Sequence, residues 1–80
     1  MNRDQLRVAL EQAGVPPRWY TIGGDRNEST CLVGDGAVWT VFYSEKGQRS
    51  DERSFPSEDL ACRYVYAQMI RDTEQHRRGR

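Results

Sequence analysis

The apolar positions change period three times along this chain. Over residues 3–13, Leu6, Ala9, Leu10 and Ala13 recur at the i, i+3, i+4, i+7 spacing of one helix face. Asn2 is a good N-cap, and Gln5 three residues later completes a capping-box pattern. Gly14 can take the left-handed conformation that ends a helix, Val15 follows as its apolar contact, and Pro16 and Pro17 stop continuation.

The middle of the chain follows the two-residue period of strands. Trp19–Ile22 is aromatic and β-branched and ends at Gly23-Gly24-Asp25, with a polar loop over Asp25–Glu28. Thr30–Val33 is a second strand, followed by the turn signal Gly34-Asp35-Gly36. In Ala37–Ser44 the side chains of Trp39, Val41 and Tyr43 point one way and those of Val38, Thr40 and Phe42 the other. Large apolar groups on both faces predict a central strand. Its core anchors are either Trp39 and Val41 or Val38 and Phe42. Glu45-Lys46-Gly47 is a hairpin loop with Gly47 placed for a bulge, and Gln48–Phe55 carries charge on both faces, as an exposed edge should.

Helical spacing returns after Phe55-Pro56. Ser57 is the expected N-cap, Glu58 and Asp59 occupy the first turn, and the helix is expected to run to about His76. Ala61, Cys62, Val65 and Met69 form one stripe, flanked by Leu60 and Tyr64. Tyr66 and Ile70 fall nearer the opposite side, exposed or meeting the first helix or a second chain. The order α-β-β-β-β-α, with every connection short, predicts an α+β fold: an antiparallel four-stranded meander with the two helices on one face. Residues 1–76 form one domain, and 77–80 are expected to be a frayed basic tail.

Composition narrows the function classes. Eighty residues leave no room for a two-lobed enzyme, and no run approaches the ~20 apolar residues of a membrane span. The 12 basic and 12 acidic side chains cancel, which argues against a dedicated nucleic-acid binder. Arg77, Arg78 and Arg80 crowd the end; setting them aside leaves nine basic against 12 acidic groups, a net of −3. This tail reads as a solvated helix end, or else as a nucleic-acid contact. Arg3, Asp4, Arg7 and Glu11 interrupt any signal-peptide core, so a cytoplasmic location is expected. Cys31 and Cys62 read as small buried residues, with a disulfide left open. With His76 as the single histidine, no zinc-site spacing is present.

Catalytic chemistry finds little to work with. Any Ser/His/Asp or Cys/His arrangement would need His76, which sits beside Arg77 in the last turn. Neither glycine cluster leads into a helix N-terminus or carries a P-loop lysine. No enzyme activity, cofactor or metal is expected. Partner recognition is better provided for. Trp19 and Tyr20 follow a diproline at an expected sheet edge and serve as lids over the core or as binding anchors. Asp25, Glu28, Glu45, Asp51 and Glu52 supply negative charge around them, which would steer toward a basic cleft on a partner.

The segment Trp39–Gly47 (WTVFYSEKG), then Arg53–Phe55 and Ser57–Tyr64 (SEDLACRY), resembles a pattern in small actinobacterial proteins. Those proteins are encoded beside polymorphic toxins, NAD-glycohydrolase-type necrotizing toxins among them, or follow the toxin region as a short tail. The opening helix that ends in Ala13-Gly14-Val15-Pro16 is similar too, so the likeness runs from Met1 to about Arg71. It implies a toxin-neutralising immunity protein whose partner is a cognate protein toxin. The alternative is a small homo-oligomeric adaptor or regulator, paired through Tyr66 and Ile70 on the C-terminal helix, with weak nucleic-acid affinity at its basic end.

Overall fold

In a computed structural model, which describes residues 1–78, the elements follow the order α-β-β-β-β-α. Helix α1 spans Arg3–Gln12. A 3-10 turn over Pro17–Trp19 leads into strand β1, Tyr20–Ile22. Strands β2 (Ser29–Gly34), β3 (Trp39–Glu45) and β4 (Gln48–Phe55) precede helix α2, Glu58–Arg78. Gly79 and Arg80, the end of the expected basic tail, lie outside the described residues.

Local chemistry sets the helix ends. The Asn2 side chain accepts from the Gln5 amide at 2.8 Å while the Gln5 side chain accepts from the Asn2 amide at 2.9 Å. At the other end Gly14, at φ +77°, lets Val15 N–H reach Leu10 O and its own N–H reach Glu11 O. This pair of bonds satisfies two carbonyls that the helix leaves open. Ser57 Oγ accepts from Leu60 N at 3.2 Å and starts α2. Trp19 belongs to the 3-10 turn rather than to the strand, because Pro17 at its first position presets the turn dihedral.

The sheet order is β1-β2-β3-β4, but the sheet is mixed and not a pure antiparallel meander. β1 runs parallel to β2, with Tyr20 opposite Thr30 and Ile22 opposite Leu32. Parallel neighbours usually need a crossover of a dozen residues or more. Here Gly23–Glu28 suffices because β1 has only three residues. Three strand residues span about 10 Å, and six residues reach up to about 20 Å. Gly23 at φ +90° and Glu28 at φ +59° make the two reversals. Arg26 Nη2 ties the loop down, donating to Pro17 O at 2.9 Å and Tyr20 O at 3.2 Å.

The remaining pairs are antiparallel. Lys46 (φ +52°) and Gly47 (φ +78°) form a two-residue turn between Glu45 and its partner Gln48, with no bulge at Gly47. The irregularity comes later, between Val41 and Tyr43, where Asp51 takes φ +52° and β4 gains a residue.

Both faces of β3 are used. Val41 joins Leu6, Leu10, Leu32, Val65 and Met69 in the core beneath the helices. Phe42, 1% exposed, lies on the other face opposite Cys31, under the Gly23–Glu28 loop and the Arg49 guanidinium 4.0 Å from its ring centroid. Trp39 is half-buried and packs against the same core as Val41, so that expected pair shares the helix side, whereas in the other pair Phe42 is buried and Val38 is 44% exposed in the β2–β3 turn. Tyr66 and Ile70 are half-buried against the core, since α1 packs beside α2 and widens its buried arc. Cys31 and Cys62 are buried free thiols.

The two helix N-termini are tied together by charge. The Met1 ammonium pairs with Asp59, and Arg3 donates to Glu58 from its amide at 2.9 Å and from Nε at 3.1 Å. The Arg3 amide, then its side chain, hold the Glu58 carboxyl below the usual carboxylate range, and the ammonium, then Arg63, do so for Asp59. Depressed values mean the folded chain binds fewer protons than the unfolded one. The stabilisation is therefore present at neutral pH and is lost as pH falls through the folded pKa values. Tm should drop between about pH 5 and 3. Glu58→Gln/Asp59→Asn should flatten that slope in calorimetry; an unchanged slope would assign acid sensitivity elsewhere. Asp35, held low by the Val38 and Ala37 amides, accounts for a residual slope.

Candidate functional site

Helix α2, 21 residues and about 31 Å long, outruns the seven-residue β3, which covers about 23 Å. Its C-terminal half overhangs the sheet and leaves a groove of about 910 Å³. Tyr43 and Met69 contribute to its lining from sheet and helix, and Trp19 and His76 meet there edge to face at 5.5 Å between ring centroids. Tyr64 packs on Phe55 at 5.2 Å and accepts a hydrogen bond from Arg53 Nε at 3.0 Å. A second groove of about 500 Å³ lies by the helix N-termini. Its charges are satisfied within the chain: Arg3 by Glu58 and Arg7 by Asp4.

The residues expected to bind a partner divide among four places. Trp19, Glu28 and Asp51 line the large groove. Tyr20 is 8% exposed and belongs to the core beside α1, where burial and then the Glu11 charge raise its phenol pKa. It acts as a lid over the core, one of the two roles left open for it. Asp25 lies on the opposite face of the sheet, accepting from Ser44 Oγ at 2.7 Å with Arg49 Nε at 3.9 Å. Glu45 and Glu52 are exposed, at the hairpin end of the β3–β4 ribbon and beside the bulge. Among the described residues, Glu28, Glu45, Asp51 and Glu52 form no ion pair.

The left-handed Asp51 is the local reason these acids do not form a regular row. One inserted residue in β4 twists the edge and breaks its pairing ladder between Val41 and Tyr43. The bulge is invisible in the β4 sequence, which contains no glycine there.

No spacing in the sequence brings the arginines of the groove together. Arg18, Arg26, Arg53 and Arg71 come from the 3-10 turn, the crossover loop, β4 and α2, and only the fold assembles them. Among the described residues, no three His, Cys, Asp or Glu side chains converge as a metal site, and no helix is long and apolar enough to cross a membrane. Burial raises the Cys62 thiol pKa, which disfavours the thiolate. No family model, no curated protein and no solved structure matches this chain.

Proposed function

We propose that this chain is a cytoplasmic, non-catalytic immunity protein that binds a cognate protein toxin and occludes its active site. The observation that carries the reading is the set of exposed carboxylates along the β3–β4 ribbon. Glu45, Asp51 and Glu52 stand free of ion pairs there, with Trp19 half-buried in the adjoining groove. Unpaired carboxylates on a rigid ribbon steer a partner with a basic cleft, and a half-buried aromatic anchors it once docked. The resemblance of Trp39–Gly47 and Ser57–Tyr64 to proteins encoded beside polymorphic toxins supplies the partner class.

The area is sufficient. A stable complex buries about 800 Å² per partner. That is roughly a seventh of this chain's 5314 Å² surface. The first test is co-expression with the toxin domain encoded by the adjacent reading frame. Neutralisation and co-purification are expected, and an undiminished toxin rejects the immunity reading. The second test concerns the surface. Charge reversal at Glu45, Asp51 and Glu52 should slow association about tenfold or more at low salt, and Trp19→Ala should speed dissociation. Circular dichroism checks the fold. Unchanged rates in a folded quadruple variant would place the interface elsewhere.

A further inference from the structure

Eight of the described arginines fall into two sets. Arg3, Arg7, Arg49 and Arg63 each face a carboxylate within ion-pair distance: Glu58, Asp4, Asp25 and Asp59. Arg18, Arg26, Arg53 and Arg71 have no carboxylate oxygen within 4.0 Å among the described residues. All four of these line the groove of about 910 Å³. Lys46 and Arg77 are also without an ion pair, but they sit at the hairpin tip and near the end of α2, outside it.

Two of the four are held in place by neutral acceptors. Arg26 is fixed by the carbonyls of Pro17 and Tyr20, and Arg53 by the Tyr64 hydroxyl, with its guanidinium 5.9 Å from that ring's centroid. Orientation is thus set without a carboxylate at ion-pair distance among the described residues. A guanidinium has five N–H donors, so each keeps several for an outside group. An acceptor that arrives meets forks already ordered, which lowers the cost of binding.

The groove also carries carboxylates, and they decide among anions. Asp72 accepts from Gln68 Nε2 at 3.1 Å, while Glu28 and Asp51 face the same space from the crossover loop and β4. They repel any anion, and most strongly one whose charges are fixed close together, as in a compact polyphosphate or a phosphodiester backbone, whereas carboxylates on flexible side chains can turn away from them toward the arginines. Nor is a glycine, the usual means of bringing backbone amides onto a phosphate, among the residues that line the groove. An extended polypeptide can set its carboxylates against the arginines and lay its apolar atoms on Tyr43 and Met69.

We propose that this groove is a docking site for an acidic polypeptide segment of a partner protein. The proposal is independent of the toxin reading, because the groove takes such a segment whatever protein supplies it. A failure of the test below leaves the co-expression experiment untouched.

The probe is poly-L-glutamate, titrated into the full chain at low ionic strength and followed by tryptophan fluorescence. Poly-L-lysine and a single-stranded DNA oligomer are the comparison arms. Binding of poly-L-glutamate is expected, tighter than either comparison and weakened by salt. Arg18→Gln/Arg71→Gln should lower its affinity about fivefold or more. Those two side chains make no hydrogen bond within the described chain, so the variant should keep its fold, which circular dichroism checks. Arg7→Gln/Arg63→Gln removes the same charge elsewhere and should change the affinity less than about twofold. Equal losses in both pairs would mean unspecific attraction and would overturn the proposal. So would absence of poly-L-glutamate binding, or tighter binding of the DNA, which would make the groove a nucleic-acid site.

Discussion

Phe42→Ala should destabilise the fold by about 3–5 kcal/mol, read as a shift of the urea midpoint at unchanged slope. The ring is 1% exposed and lies on the sheet face that carries no helix. Its cover is the Gly23–Glu28 crossover, held by Ser44 to Asp25 and by the Lys46 amide to Asn27 Oδ1 at 2.6 Å, together with the Arg49 guanidinium. A domain of this size has about 4–12 kcal/mol in total, so the loss is a large fraction of it. Removing the ring leaves a void beside Cys31, and the Ser29 Oγ bond to Arg26 O at 2.8 Å holds the loop against collapse into it. Val38→Ala, at a 44% exposed position, should stay within about 0.5 kcal/mol. A loss below about 1 kcal/mol for Phe42→Ala would mean that the crossover does not seal this face.

Gly34→Ala should cost about 1–3 kcal/mol, the reverse of what this substitution usually does. In an extended strand, alanine is ordinarily the better residue by about 0.5–1 kcal/mol. Gly34 pairs with Trp39, and a Cβ built on it would lie 2.3 Å from Trp39 Cε3 and 2.5 Å from Cζ3. The indole cannot simply lift away. The Arg3 guanidinium stands 5.0 Å from its ring centroid, and Phe55 is its partner on the other side. Trp39→Ala removes the clash, so in the double variant the Gly34→Ala cost should vanish. A double-mutant cycle should return a coupling of about 1 kcal/mol or more. A stabilised Gly34→Ala would show that the indole does not rest on Gly34.

The surface divides by charge in a way that bears on both proposals. The acidic ribbon and the arginine groove meet at Asp51, which belongs to each. A partner using both would present a basic patch beside an acidic strand. Such a pattern fixes orientation more strongly than a single-sign patch, because rotation brings like charges together.

The local features of this fold were legible because their partners are near in sequence. The Asn2–Gln5 capping box, the Gly14 helix stop, the Ser57 cap and the Ala61-Cys62-Val65-Met69 stripe all depend on residues within one or two helical turns. The polar β4 edge was legible for the same reason, as its eight residues alone carry the pattern. Strand direction was not. A six-residue loop after Ile22 reads as a hairpin connection, and only the shortness of β1 and the Arg26 ties let it run back to a parallel start. The facing of β3 was not legible either, since Val41 and Phe42 are equally apolar. What decides between them is the cover, helices on one side and a loop with Arg49 on the other. The groove lay furthest from view. Whether an arginine is neutralised depends on carboxylates brought close by the fold: Arg3 meets Glu58 across 55 positions, while Arg53 meets only a phenol. Sequence periodicity sets which face of an element is apolar, but the pairing of charges between elements is a property of tertiary distance alone.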